Sequence, residues 1–345
     1  MRPPIIGWDV GGANVKAALI TDSHQNPSAV LERPFALWRD PTRLPEVLAE
    51  VAGRLGIEHR ASAMAVTMTA ELADCFSTKR EGVASVLDAF CAAFPGLEPW
   101  IYGVDGRFRT VGQAREESHV VAAANWMASA TWVARSTADA LFLDVGSTTT
   151  DIIPIVSGGV DVRGRTDLAR LESGELVYTG ALRTPVAAIV RAVPVQGSRC
   201  RVAAEYFALS ADVYRWLGRI DEQGYTCETP DGRGRSRREA GIRLARVVCA
   251  DMDMLGPDEI TAIAEHVARA QVRQVASAIR RVMRRLGPKC PRVAVLAGQG
   301  RFIAQAAAET MRLATRDLAS EAGSAAARAA PAAAVAYLLA ESPDV

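Results

Sequence analysis

Residues 7–16 read GWDVGGANVK and residues 144–151 read DVGSTTTD, so an aspartate followed by a glycine turn occurs twice in the chain. In each stretch an apolar run leads up to the aspartate, and a second apolar run follows the turn. This pattern predicts a strand, a tight turn and a second strand. Because the two stretches lie about 135 residues apart, we expect two related lobes rather than a short-period repeat protein.

The fold class that we expect is α/β, because strand and helix patterns alternate along the chain. We predict a first lobe over residues 1–133 and a second over 134–345, with an α+β insertion over about 164–290, where the alternation loosens. With 345 residues, of which 49% are hydrophobic, the chain is long enough for two domains with cores of their own.

Charge and cysteine usage narrow the class of protein. Forty Lys+Arg against 39 Asp+Glu give a formal net charge of +1, which argues against nucleic acid or a membrane surface as the partner. The six cysteines show no CxxC spacing, so we expect reduced thiols in a cytoplasmic protein rather than a zinc site or disulfides. Self-association through an exposed apolar face of the last helix is left open.

The first aspartate-tipped hairpin has the residue types that phosphate chemistry needs. Asp9, at the end of a strand, is a candidate ligand for Mg²⁺, which bridges phosphate oxygens. Glycines let backbone N–H groups approach phosphate without interference from a Cβ, and a lysine adds a compact positive charge. The candidate phosphate-binding residues are Gly11, Gly12, Asn14 and Lys16. An ordinary hairpin turn is the alternative interpretation.

The second hairpin and a late glycine turn repeat these features. Asp144 is the matching metal candidate, and the glycine and hydroxyls after it predict a second anion site; a threonine-rich strand is the alternative. Residues 293–300, VAVLAGQG, predict a buried strand, a glycine turn and a helix N-terminus, which favours anions. The candidate residues are Gly146, Ser147, Thr148, Thr149, Gly298 and Gly300.

Residues 67–82, TMTAELADCFSTKREG, place two carboxylates and a cation close together. Glu71, Asp74 and Lys79 are the candidate catalytic residues, because a carboxylate with a raised pKa can serve as a general base. Which carboxylate is the base is left open. A solvated loop that caps the next helix is the alternative.

Two further sets of residues are candidates for substrate binding. Tyr178, Arg183 and Tyr206 have the chemistry of a pocket for an aromatic substrate, although core or interface roles are the alternative. Six arginines could clamp a diphosphate or a carboxylate, and a solvated helix start is the alternative. These arginines are Arg233, Arg235, Arg237, Arg238, Arg243 and Arg246.

Two Asp-Gly hairpins followed by a strand, a glycine turn and a helix resemble the actin-like ATPase superfamily, which includes sugar kinases, Hsp70-type chaperones and hydantoinase/oxoprolinase proteins. This resemblance implies two RNase H-like lobes that close on a phosphate-bearing ligand, with Asp9 and Asp144 meeting across the gap. It also implies Mg²⁺ as a cofactor, with ATP as a further candidate.

Five segments resemble the hydantoinase/oxoprolinase-like proteins of tetrahydromethanopterin-linked one-carbon metabolism, namely 67–82, 142–154, 164–168, 174–185 and 204–214. This resemblance implies a transferase of methanofuran biosynthesis. Such an enzyme couples its two partners, aminomethylfuran-methanol diphosphate and the phenol of γ-glutamyltyramine or a tyrosine analogue, and releases pyrophosphate. The alternatives are an ATP-dependent small-molecule kinase, a hydantoinase/oxoprolinase-type hydrolase, and a nucleotide-binding regulatory protein without turnover.

Overall fold

The computed structural model describes residues 4–21, 26–56 and 63–342, and contacts divide the chain into two compact units. The first unit comprises Met1–Phe142, Ile153–Arg170 and Asp317–Val345, and the second comprises Leu143–Ile152 and Leu171–Arg316. These units differ from the predicted lobes because the C-terminal segment packs on the first sheet. We predicted the lobe boundary at 133/134 from the point where the strand pattern starts to repeat, and this boundary remains a prediction.

Fourteen strands, fourteen α-helices and three short 3₁₀ helices occur in the described residues. The strands are β1 (Ile5–Val10), β2 (Asn14–Ile20), β3 (Ala29–Pro34), β4 (Met64–Met68), β5 (Trp100–Tyr102), β6 (Phe108–Arg109), β7 (Ala140–Val145), β8 (Thr150–Val156), β9 (Gly159–Val160), β10 (Leu176–Val177), β11 (Ala192–Val195), β12 (Ser198–Arg201), β13 (Val293–Ala297) and β14 (Ala314–Asp317). The helices are α1 (Leu44–Arg54), α2 (Lys79–Ala93), α3 (Val111–Glu116), α4 (Ser118–Val121), α5 (Asn125–Ser136), α6 (Asp167–Ser173), α7 (Val186–Ile189), α8 (Ser210–Trp216), α9 (Arg237–Arg246), α10 (Pro257–Leu286), α11 (Arg301–Thr310), α12 (Leu318–Ala322), α13 (Ser324–Arg328) and α14 (Ala330–Glu341).

The first sheet has the strand order β3-β2-β1-β4-β5-β6. β2 is antiparallel to β1 and β3, whereas β4 is parallel to β1 and β5. The glycine turn after β1 is too short for a crossover and forces the antiparallel start, while the passage through α1 allows β4 to run parallel to β1. Trp8 of β1 packs edge-on against Phe90 of α2, with ring centroids 5.7 Å apart, in the core of this sheet.

The alanine-rich helix α14 packs directly on β1. A Cβ at Gly7 would overlap the carbonyl oxygen of Ala332 and lie 2.9 Å from the Ala336 Cβ, so the close approach needs small residues on both elements. Residues 330–340 are all buried. The exposed apolar face that we considered for self-association of the last helix is therefore absent from these residues, and that reason for an oligomer was wrong.

The second sheet repeats the strand order of the first. Its order is β10-β8-β7-β13-β14, with β9 as a further partner of β8. The β7–β8 hairpin takes the place of β1–β2 and β13 takes the place of β4, which confirms the predicted pair of RNase H-like, actin-like lobes. Between β10 and β13 the chain carries α7 to α10 and the ribbon β11–β12, within the predicted insertion. Among the described residues no helix, not even the 30-residue α10, combines the length and apolar character that crossing a membrane needs.

Candidate functional site

The first candidate site lies at the hairpin between β1 and β2. The Gly11 N–H donates to Asn14 O at 2.9 Å and closes the turn, whose tip, including Gly12, is half-buried. Asp9, one residue before the end of β1, is buried, and its Oδ1 has no hydrogen-bond partner among the described residues. Burial raises the pKa of Asp9 to about 6, and the charge of Lys16 opposes this shift. A hard cation such as Mg²⁺ would satisfy a buried carboxylate oxygen of this kind, so Asp9 fits the predicted metal role.

The two residues that lie opposite Asp9 on the neighbouring strands differ in whether their polar atoms have partners in the protein. Thr67, opposite Asp9 on β4, is fully buried, and its Oγ1 also lacks a hydrogen-bond partner within the described part of the chain. Lys16, opposite Asp9 on β2, donates from Nζ to Arg328 O at 3.1 Å and lies 3.9 Å from Glu32 Oε1. The ammonium that we predicted to face phosphate is thus engaged by the protein itself.

Glu71 lies in a 3₁₀ turn, Ala70–Leu72, directly after β4. Its side chain is 1% exposed, and neither carboxyl oxygen has a hydrogen-bond partner among the residues that the structure describes. Gly82 of α2 makes this position possible, because a Cβ there would lie 2.5 Å from the Glu71 backbone. Burial raises the pKa of Glu71 to about 7, and the charge of Lys79 opposes the shift. A carboxyl group that titrates near neutral pH suits general acid–base chemistry.

Lys79 and Asp167 complete what we call the Glu71 cluster, which consists of Glu71, Lys79 and Asp167. Lys79 begins α2, whose N-cap residue Thr78 accepts the N–H of Glu81 at 3.1 Å. From this position Lys79 Nζ lies 3.7 Å from Glu71 Oε1 and 2.6 Å from Asp167 Oδ2. The helix cap that we gave as the alternative therefore exists, and it fixes the place of the lysine.

The other predicted carboxylate of this loop stays outside the cluster. Asp74 is exposed, and the ion pairs of Lys79 do not include it. Asp167 belongs to the cluster because it pairs with Lys79, 88 residues away in the sequence. We did not predict a catalytic role for it from the sequence. Its only signal in the sequence was its place in segment 164–168.

The second candidate site lies at the hairpin between β7 and β8. The Gly146 N–H donates to Thr149 O at 2.9 Å, which is the same closure as in the first hairpin. Ser147 Oγ and Thr148 Oγ1 lie 3.3 Å apart, and the four tip residues are half-buried. Hydroxyls grouped at a tight turn are suitable donors to an anion.

The late glycine turn packs against this hairpin. Gly298 has φ +81°, and a Cβ there would overlap the Asp144 carboxylate and the Val145 carbonyl. The Gly300 N–H donates to Val145 O at 2.8 Å. The structure thus brings together the second metal candidate and the late glycine pair, and only glycine permits so close an approach.

Segment 174–185 also packs against the hairpin tip. A Cβ at Gly180 would lie 2.5 Å from the Thr148 nitrogen. The N–H groups of residues 181–183 donate to the carbonyl oxygens of Gly146 and Ser147 at 2.9–3.0 Å. These bonds fix the backbone of the tip on one side.

A cavity of about 430 Å³ opens beside this turn within the second unit. It is lined by Ala181, Leu182, Gly218, Arg219, Ile220, Asp221, Gly224 and Gln299. Gln299 separates the two glycines of the late turn, so the cavity adjoins the candidate anion site. Its volume is that of a small-molecule site.

The predicted aromatic pocket is not a single cavity in the structure. Tyr178 and Tyr206 are 62% and 54% exposed. Partial burial raises the pKa of Tyr206 and the charge of Arg183 opposes this, so these two side chains are within electrostatic reach of each other. Tyr178 lines a separate groove of about 640 Å³ that includes neither of them.

One of the candidate clamp arginines has a structural role. Arg243 is fully buried, and it pairs with Asp212 at 2.8 Å and Asp231 at 3.1 Å. Tyr225 donates to the same Asp212 oxygen at 3.0 Å. A buried guanidinium held in this way stabilises the loop around Asp231 and cannot at the same time reach a ligand.

Comparisons with known proteins agree on one family. The model of the hydantoinase/oxoprolinase family matches residues 62–341. A (gamma-L-glutamylaminoethyl-phenoxymethyl-furanyl)methanamine synthase of Methanocaldococcus jannaschii is 39% identical over 261 residues, which cover 75% of this chain and 76% of the relative. The synthase of the same name from Methanococcus vannielii is 36% identical over 149 residues, 43% of this chain and 67% of the relative.

A solved structure shares the fold at low sequence identity. The nucleotide-free structure of an acetone carboxylase aligns over 98% of this chain and 70% of its own, with a TM-score of 0.54 and 10% identity. This likeness concerns the fold alone.

Proposed function

The chain belongs to the hydantoinase/oxoprolinase family, and from that premise we propose that it is a transferase of methanofuran biosynthesis. Its substrates are aminomethylfuran-methanol diphosphate and the phenol of γ-glutamyltyramine, and pyrophosphate is released. The names of two relatives support the product, because a phenoxymethyl-furan contains an ether between a phenol oxygen and a methylene carbon.

The proposed step forms one C–O bond and breaks another. The phenol oxygen attacks the methylene carbon of the furan diphosphate, the bond from that carbon to the diphosphate oxygen breaks, and pyrophosphate leaves with the electron pair. The phenol must also lose its proton, because a group with a pKa of about 10 is almost entirely protonated at neutral pH. A base beside the phenol is therefore required.

The environment of Glu71 supports the proposal independently of the names of the relatives. Its buried carboxyl has a pKa of about 7, so a large fraction is ionised at neutral pH and ready to accept the phenol proton. Both carboxyl oxygens lack a hydrogen-bond partner among the described residues, so no donor in that part of the chain competes with a substrate hydroxyl for them. Lys79 Nζ at 3.7 Å favours the ionised form.

The leaving group needs hydrogen-bond donors and a cation. Asp9 would hold Mg²⁺, which when bound neutralises the charge of a departing diphosphate. N–H groups at the tip of the first hairpin would donate to diphosphate oxygens, and the N–H groups and hydroxyls of the second hairpin are a separate candidate anion site. ATP phosphates match the same donors, so ATP remains a candidate ligand.

A product assay tests the proposal. The purified protein is incubated with the furan diphosphate, γ-glutamyltyramine and Mg²⁺, and the ether and pyrophosphate are measured by mass spectrometry and a coupled pyrophosphate assay. We expect ether and pyrophosphate in equal amounts. In a parallel incubation that also contains ATP, formation of ADP without pyrophosphate would overturn the proposal in favour of a kinase.

Two carboxylate variants separate the candidate bases. Glu71→Gln should lower kcat by about 10²- to 10⁴-fold, which is the usual contribution of a general base. Asp74→Asn should stay close to the wild-type rate because Asp74 is exposed and outside the cluster. The opposite ranking would assign the base to Asp74.

A further inference from the structure

We propose that Asp167 is a positioning residue of this enzyme, which holds the Lys79 ammonium where it keeps Glu71 competent as a base. The effect of Asp167 on the enzyme kinetics rests on the proposed function. Asp167 Oδ2 lies 2.6 Å from Lys79 Nζ, and Lys79 Nζ lies 3.7 Å from Glu71 Oε1. The firm contact of the lysine is thus with Asp167, and its effect on Glu71 is exerted through space.

Lys79 needs such a partner to keep its place. Its side chain is 34% exposed, and a lysine stem has several rotatable bonds. At 3.7 Å the contact of the ammonium with the Glu71 carboxylate is longer than its contact with Asp167 and beyond the usual length of a hydrogen bond. Without Asp167 the ammonium would be free to turn into solvent, since hydration stabilises an exposed lysine well.

The backbone that carries Asp167 is fixed from two sides. A Cβ at Gly164 would lie 2.6 Å from the Ala169 carbonyl carbon and the Arg170 nitrogen, so the turn before α6 is tightly packed. On the same helix Arg170 is 1% exposed, and its guanidinium lies over the ring of Trp126 in α5 at 4.0 Å. Asp167 therefore lies on a helix whose backbone is held in place by packing.

Removal of Asp167 should shift the pKa of Glu71 in opposite directions, depending on whether Asp167 acts as a nearby charge or positions Lys79. Among the described residues, the charged side chains that shift the pKa of Glu71 are Lys79 from α2, which lowers it, and Asp167 from α6, which raises it. The effect of Lys79 is the larger of the two. If Asp167 acted only as a nearby charge, its removal would lower the pKa of Glu71. If it positions Lys79, its removal weakens the lysine's effect and raises that pKa.

The test compares Asp167→Asn with Asp167→Glu and with Glu172→Gln, an exposed residue of the same helix. The first measurement is the acid limb of the pH profile of kcat/KM. We expect Asp167→Asn to move this limb to higher pH, with about a tenfold lower kcat/KM at pH 6 for each pH unit of displacement. Asp167→Glu should restore part of the loss, and Glu172→Gln should match the wild type.

A second measurement needs no substrate. The Glu71 carboxyl is titrated by ¹³C NMR in protein labelled at glutamate, and its signal is assigned by its loss in Glu71→Gln. The Glu71 midpoint should rise in Asp167→Asn and rise similarly in Lys79→Met. A midpoint that stays the same or falls in Asp167→Asn would overturn the positioning role. If the wild type forms no ether but the midpoint rises, the proposed function fails and the positioning role stands.

Discussion

Replacing Glu71 by glutamine should stabilise the protein above pH 7 and leave its stability unchanged near pH 4. The pKa of Glu71 rises from 4.5 to about 7 on folding because burial disfavours the charged form. The folded state therefore binds this proton more tightly than the unfolded state. Stability linked to the protonated form is complete below pH 4.5 and is lost as the pH rises through 7.

The size of the effect follows from the same two pKa values. A difference of about 2.5 in pKa, at 1.36 kcal/mol each, gives about 3 kcal/mol of stability that the wild type loses between pH 4.5 and pH 7. The neutral glutamine loses none of this. The free energy of unfolding of Glu71→Gln should therefore exceed that of the wild type by about 3 kcal/mol at pH 8 and by almost nothing at pH 4.

Urea unfolding followed by tryptophan fluorescence at several pH values measures this difference. Asp74→Asn, on the exposed side of the same loop, is the matched control and should show a difference that does not vary with pH. A Glu71→Gln difference that is equally constant from pH 4 to pH 8 would refute the claim that Glu71 is buried without a full set of partners.

Three further predictions concern the hairpins and the sheet. Gly298→Ala should lower the melting temperature and weaken Mg²⁺-pyrophosphate binding more than tenfold in calorimetry, because the new Cβ overlaps the second aspartate-tipped hairpin. Gly197→Ala is the control, because Gly197 has φ +76° and a Cβ there would meet nothing within 4 Å. This variant measures the cost of the positive φ alone, which is about 1 kcal/mol. Gly7→Ala should cost several kcal/mol in urea unfolding because α14 must move off β1, whereas Gly53→Ala, in the open part of α1, should stabilise by about 0.5–1 kcal/mol. Asp9→Asn should remove the Mg²⁺ dependence of pyrophosphate binding; an unchanged dependence would exclude Asp9 as the metal ligand.

Local features of the fold were readable from the sequence because their causes are local. The turn at Gly11 and the turn at Gly146 were both predicted from an apolar run that stops at Asp-Val-Gly, and both close with the same hydrogen bond. The bounds of the long helix Pro257–Leu286 also have local causes, because proline begins it and Gly287 follows it. The alanine-rich segment 321–340, by contrast, is divided among three helices, with Gly323 at φ +82° separating the first two.

Long-range contacts of the site were not readable. The pairing of Lys79 with Asp167 depends on how α6 returns to the first unit, and no pattern near either residue encodes it. The same holds for Lys16, whose ammonium meets a carbonyl more than 300 residues away. The sequence supplies the residue types at the strand ends, whereas burial and partners, which decide pKa and ligand access, depend on tertiary packing.

The most direct test of the proposed chemistry follows one oxygen atom. The furan diphosphate is prepared with ¹⁸O in the position that bridges the methylene carbon and the phosphorus, and the products with γ-glutamyltyramine are analysed by mass spectrometry. Attack by the phenol at carbon predicts that all the label leaves in pyrophosphate and that the ether carries none. Label retained on the furan product would show cleavage at phosphorus and would contradict carbon–oxygen bond formation by this enzyme.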